Sequence, residues 1–135
     1  MKTREFILHT DHEGMYDVTA QLHAAIRESR VRSGAALVYC PHTTAGITIN
    51  ENADPDVQHD LLLGLRQVFP DQSAFHHMEG NSAAHLKSSC VGVSQLVPIE
   101  DGQPLLGTWQ GVYFCEFDGP RTRRFQVKVL CDNDI

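Results

Sequence analysis

Apolar and polar residues alternate loosely along Arg4-Glu5-Phe6-Ile7-Leu8-His9, the period of a half-buried strand, and Asp11-His12-Glu13-Gly14 then supplies a turn. After Asp17 the spacing changes. Val18, Leu22, Ala25 and Ile26 recur every three or four residues, which predicts a helix capped by Asp17, running to about Val31 and stopped by Ser33-Gly34. Ala35 to Cys40 is a compact β-prone run, and Thr43 to Asn50 resumes it with Thr44, Ile47, Thr48 and Ile49. Pro41 between them predicts an edge or a bulge. Asp54-Pro55-Asp56 puts a capping carboxylate before a proline at the first helical position, and Val57, Leu61, Leu62 and Leu65 form the apolar face of the helix that follows. Residues 70–81 turn polar and loop-like. Asn81 or Ser82 then caps a short helix that must stop near Gly92. Val93–Ile99, Leu105–Asp118 and Thr122–Cys131 alternate as strands, separated by turns at Glu100-Asp101-Gly102-Gln103 and Asp118-Gly119-Pro120. The sum is a single α+β domain over residues 1–135, with five to seven strands and two or three helices in one layer against the sheet.

Composition narrows the class. The chain has 135 residues, 41% of them hydrophobic and 21% charged, which suits one globular domain and excludes a disordered chain or a pure coiled coil. No apolar stretch approaches the ~20 residues that span a bilayer. Met1-Lys2-Thr3-Arg4-Glu5 leads into a short strand rather than the apolar core of a secretory signal, so a cytoplasmic protein without a membrane partner is expected. Seventeen acidic against eleven basic residues give a net charge of -6, which repels nucleic acid. Cys40, Cys90, Cys115 and Cys131 lack CxxC spacing and read as reduced thiols.

Histidine changes the picture most, with eight copies. Pro41-His42-Thr43-Thr44-Ala45-Gly46 sets an imidazole and two hydroxyls at a strand interruption, where polar groups become free to bind or simply to satisfy a bulge. Glu51, in the acid-rich stretch Asn50 to Asp56, is left over once capping has used its neighbours, and is either an acid-base group or a solvated loop acid. His77 and His85 with one distant histidine such as His42 would make the three-donor set of an open zinc site, although loop spacing permits this rather than requiring it. If Ser82 begins a helix, His85, Ser88 and Ser89 share a face and the serines could hold a phosphate, with Lys87 nearer the rim. Glu116 lies in an apolar strand where an unpaired charge is costly, so it meets Arg121, Arg123, Arg124 or a histidine. The arginines could equally bind substrate phosphate through their planar forks. There is no GxSxG elbow, P-loop or GxGxxG fingerprint.

Four separated motifs carry a resemblance that covers nearly the whole chain. They are Pro41-His42-Thr43-Thr44-Ala45-Gly46-Ile47, Asn50-Glu51-Asn52-Ala53-Asp54-Pro55-Asp56-Val57, Ala84-His85-Leu86-Lys87-Ser88-Ser89, and Leu106-Gly107-Thr108-Trp109-Gln110 through Glu116. This pattern resembles the YjbQ family, also described as secondary thiamine-phosphate synthase enzymes. The resemblance implies a mostly antiparallel, barrel-like sheet or sandwich, a homotrimer, a histidine-rich pocket near a subunit boundary and a low thiamine-phosphate synthase activity. By position the family's histidines fall on His42, His77 and His85, its acids on Glu51, Asp56 and Glu116, and its tryptophan-glutamine pair on Trp109 and Gln110. Our hypothesis is that the three histidines hold a divalent ion while Glu51 or Glu116 handles a proton. The expectation is therefore a divalent ion, zinc, and a small phosphorylated substrate, with Thr43, Thr44, Ser88, Ser89, Arg121 and Arg124 around it. A metal-dependent hydrolase and a non-enzymatic trimeric metabolite- or metal-binding protein are the alternatives.

Overall fold

Every strand pairing in the computed structural model, which describes residues 2–134, is antiparallel. The strands β1 (Lys2–Thr10), β8 (Arg121–Cys131), β3 (Gly34–Tyr39), β5 (Ser94–Glu100) and the two-residue β6 (Gln103–Pro104) form a five-stranded sheet in that order. A three-stranded sheet has the order β2 (Gly14–Asp17), β7 (Gln110–Glu116), β4 (Ala45–Glu51). With α1 (Thr19–Ser29), α2 (Pro55–Val68) and α3 (Ser82–Val91) this is a single-domain α+β fold. No helix among the described residues is long and apolar enough to cross a membrane.

Alternation decides the layers. Val112 and Phe114 of β7 face a core shared with Ala36 and Val38 of β3, Val97 and Ile99 of β5, Phe125, Val127 and Val129 of β8, and Leu22, Ala25 and Ile26 of α1. Tyr113 and Cys115 point the other way, into a smaller cluster with Ala84 of α3 and Leu65 of α2. The helices are thus not in one layer. α1 closes the core between the sheets, while α2 and α3 cover the outer face of the three-stranded sheet.

Local chemistry accounts for the boundaries. Asp54 accepts from the Asp56 N–H (2.9 Å) ahead of Pro55, as the sequence predicts for the start of α2. Asp17 acts one position before the cap of α1, accepting from the Thr19 N–H (2.9 Å). α1 stops at Ser29 because Arg30 turns left-handed (φ 62°). Pro41 lies between strands of different sheets, so it marks a sheet-to-sheet crossing rather than a bulge within one strand. β2 falls within a stretch read as turn and cap, and β7 is shorter than the predicted run from Leu105 to Asp118. Cys40, Cys90 and Cys115 carry free thiols, with Cys40 and Cys115 buried and Cys90 exposed.

Candidate functional site

The chain leaves β3 at Tyr39 and enters β4 at Ala45, and the residues of that crossing face the start of β8 and the N-terminal half of α3. A cavity of about 400 Å³ opens there, lined among others by His42, Thr44, His77, His85, Arg121 and Arg123. His42 is thereby brought to the same cavity as His77 and His85, which lie far from it in sequence. The rings of His77 and His85 meet edge to face, their centroids 5.3 Å apart. His77, and not the neighbouring His76, lines the cavity. The Nε2 of His42 accepts the Arg124 backbone N–H at 3.0 Å and lies 3.1 Å from the Arg124 carbonyl oxygen. Burial, then the nearby Arg123 charge, hold the His42 imidazole below its usual pKa.

Beneath the cavity lies a buried ion pair. Glu116 is wholly inaccessible, and Arg123 grips it with Nε on Oε1 (2.7 Å) and Nη2 on Oε2. Thr10 Oγ1 donates to Oε1 (2.7 Å) and the Asp118 N–H to Oε2 (2.9 Å). Burial alone would raise the Glu116 pKa, but these four bonds outweigh it and hold the carboxyl below its ordinary value. Arg123 also spans the crossing, with Nη2 donating to the Thr44 hydroxyl (2.9 Å) and carbonyl (3.3 Å). Arg121 is fixed by Asp118, through Nε to its carbonyl and Nη2 to its carboxylate, both 2.8 Å. Asp118 in turn receives the Asn81 amide (2.8 Å), which also holds Glu79 (3.0 Å). Burial opposes ionisation of Asp118, yet the bonds from Arg121 and Asn81 bring its pKa below the usual value. Both guanidinium groups thus have Nε and Nη2 committed, while Nη1 of each meets no protein acceptor among the described residues.

The other expected residues fall elsewhere. Glu51, Trp109 and Gln110 lie at the opposite end of the β4–β7 ladder, where Glu51 pairs with Gln110 while Ala45 pairs with Glu116. At about 3.3 Å per residue, that separates them from the cavity by roughly 20 Å. There Glu51 accepts the Ala53 N–H (3.0 Å), Gln110 Oε1 accepts the Gly107 N–H (2.8 Å), Trp109 is 63% exposed, and Asp56 is exposed in the first turn of α2. The Ser88 hydroxyl donates to the Ala45 carbonyl (2.6 Å), tying α3 to β4, and Ser89 is exposed. The Arg124 guanidinium pairs with Glu5 (2.6 Å), so this residue reaches His42 through its backbone alone. Thr43 lines the cavity. Lys87 is buried against Glu13 (2.8 Å) rather than at a rim. Asn81 stands at the cap position of α3, as the sequence predicts, but its side chain makes no capping bond and instead joins Glu79 to Asp118 at the cavity.

A zinc ion with three protein ligands needs three donor atoms within about 2.0–2.3 Å of one point. No group of three His, Cys, Asp or Glu among the described residues converges in that way. His77 and His85 supply two imidazoles side by side, and the Nε2 of His42 is engaged by Arg124.

Fold and cavity together define a small α+β protein with two antiparallel sheets and a polar cavity of imidazole and guanidinium groups at one end. The family model described as "UPF0047 protein YjbQ-like" matches residues 4–132, and the chain belongs to that family. It is 57% identical over 122 residues to UPF0047 protein YugU of Bacillus subtilis (90% of this chain, 92% of the relative). To UPF0047 protein MJ1081 of Methanocaldococcus jannaschii it is 58% identical over 120 residues (89% and 87%). A crystal structure of an uncharacterized YjbQ/UPF0047-family protein from Clostridium acetobutylicum superposes with a TM-score of 0.92 at 53% identity, covering 94% of this chain and 99% of the other. A YbjQ-like protein of unknown function from Sulfolobus solfataricus does so with 0.93 at 26% identity, covering 97% of each.

Proposed function

We propose that the histidine–arginine cavity binds a small phosphorylated molecule and carries out group transfer on it, with thiamine-phosphate synthesis as a low, secondary activity. The observation that supports this reading is the pair of Nη1 groups on Arg121 and Arg123, positioned by Asp118 and Glu116 and lacking a protein acceptor among the described residues. Guanidinium groups so fixed suit phosphate oxygens, because the ordering cost has already been met by the protein. Joining a pyrimidinylmethyl diphosphate to a thiazole phosphate releases pyrophosphate, and two fixed cations oppose the charge that develops on that leaving group. A divalent ion, zinc, would find two ligands in His77 and His85 and would need oxygens of the substrate or of water for the rest, since no third protein donor among the described residues converges with them. Glu116, fully bonded and held ionised, is a positioning residue for Arg123, which leaves proton movement to the imidazoles.

Pyrophosphate titrated into the wild type and into Arg121→Gln, with binding read at the His77 and His85 ring resonances in this cavity, tests the reading, together with product analysis on the two thiamine precursors. Binding at least tenfold weaker in the variant, together with formation of thiamine phosphate, is the expected result. Equal binding in both proteins would overturn it. Binding without turnover would instead favour a metabolite-binding protein, and release of inorganic phosphate from a phosphomonoester would favour a hydrolase. Stoichiometric zinc in the wild type and its loss in His85→Ala is the expected outcome of metal analysis.

A further inference from the structure

Of the eight arginines in the sequence, five are held by carboxylates: Arg4 by Glu28, Arg66 by Glu13, Arg121 by Asp118, Arg123 by Glu116 and Arg124 by Glu5. The other three are Arg27, Arg30 and Arg32, and none of them forms a side-chain hydrogen bond or ion pair among the described residues. These same three line one cavity of about 310 Å³, together with His23, Gly102 and Gln103. Among the described residues no carboxylate pairs with any of the three. Glu28 holds Arg4, Asp132 accepts from the Ser33 hydroxyl (2.6 Å), and neither Glu100 nor Asp101 pairs with an arginine.

Helix-end electrostatics explains only part of the cluster. Arg27 stands in the last turn of α1, where the exposed carbonyls favour a cation. Arg30 is different, since at φ 62° it occupies a left-handed position that glycine adopts with the least steric cost. Arg32 is seated by a glycine. A Cβ on Gly102 (φ +72°) would lie 3.0 Å from Arg32 Nη1, and the Gly102 N–H donates to the Arg32 carbonyl at 3.0 Å. Bare backbone at the β5–β6 turn thus makes room for the guanidinium and pins its segment.

We infer that the cavity between the end of α1 and the β5–β6 turn is a second anion site, which takes a small polyphosphate through the guanidinium groups of Arg27, Arg30 and Arg32. Arginine suits this ligand because its planar fork binds phosphate oxygens in pairs. Size follows from charge. The protein as a whole carries -6, so an extended polyanion is repelled by the rest of the surface, whereas a compact one within a Debye length of about 8–10 Å feels mainly the three local cations. The site is separate from the histidine cavity, since β3, six residues long and hence about 20 Å, lies between Arg32 and His42.

Pyrophosphate is the probe, added to isotope-labelled protein in ~150 mM salt with the amides of Arg32 and Gly102 as reporters. Using Arg121→Gln as the background weakens the histidine cavity and keeps the two sites distinguishable. Saturable shifts at both amides are expected. Arg32→Gln and Arg30→Gly should each weaken them about tenfold or more, whereas Lys128→Gln, which removes one positive charge elsewhere, should change them less than twofold. Arg30→Gly should also keep or raise the melting temperature, because glycine relieves the left-handed backbone. Amides that do not move, or move with equal affinity in the arginine variants, would overturn the assignment whatever Arg121→Gln does at the other cavity.

Discussion

Glu116 shows how one side chain can look catalytic in a sequence and serve another role in the fold. A carboxylate in an apolar strand must be neutral or fully bonded, and here Arg123, Thr10 and the Asp118 amide bond it on both oxygens. Removing the charge in Glu116→Gln leaves the Arg123 guanidinium buried and poorly paired, so a loss of about 3–5 kcal/mol in unfolding free energy is expected from urea titration at pH 7. The pH dependence follows in sign. Because the folded carboxyl sits below the ordinary 4.5, its stabilisation is complete above that value and is lost as pH falls through the lower, folded one. The Gln variant should lose that acid-side slope. His42 is also depressed, by burial and then by Arg123, so the unfolded chain takes up the proton first as pH drops from 6.5. Stability should therefore decline below pH 6.5 from this group, and a proton-NMR titration should place the His42 midpoint below 6.5. A midpoint at or above that value would contradict the account of its surroundings.

Among the elements, those governed by local chemistry were legible in the sequence. The Asp54-Pro55 start of α2, the short helix ending at Gly92 and the two faces of β7 follow from capping and alternation alone. What the sequence did not disclose depends on tertiary partners. β2 is four residues long and is held by pairing with β7, and Ser88 and Lys87 sit on a helix whose inward face is fixed only by where β4 and Glu13 lie. For the site, the meeting of His42, His77 and His85 at one cavity was legible as a composition of motifs. The separation of Glu51, Asp56, Trp109 and Gln110 from it was not, because linear motifs do not show which end of a ladder a residue occupies. Gly46 tests the docking of α3. A Cβ there would lie 2.6 Å from the Gly92 carbonyl oxygen, so Gly46→Ala must push α3 away from β4. Thermal or chemical denaturation should show a loss of about 1–3 kcal/mol, the range of an overpacked core.

At the scale of the whole molecule, apolar surface remains uncovered. α2 buries none of its residues fully, and Leu61, Leu65, Val68 and Phe69 line an apolar groove of about 510 Å³. Leu96 (62% exposed) and Tyr39 (43%) stand on the five-stranded sheet. We propose that self-association as a homotrimer covers such faces, as patches of this kind commonly mark interfaces. Light scattering on the purified protein should then give three times the 15.1 kDa chain mass, and Leu61→Asp should shift it towards one.

The central claim concerns the cavity that gathers three imidazoles and two fixed guanidinium groups, and its most direct measurement is a titration of a phosphomonoester such as glycerol phosphate followed by the histidine ring resonances. The account predicts that His42, His77 and His85 shift together along one saturation curve, and that Arg121→Gln abolishes or greatly weakens the response. Rings that stay still, or that respond equally in the variant, would contradict it.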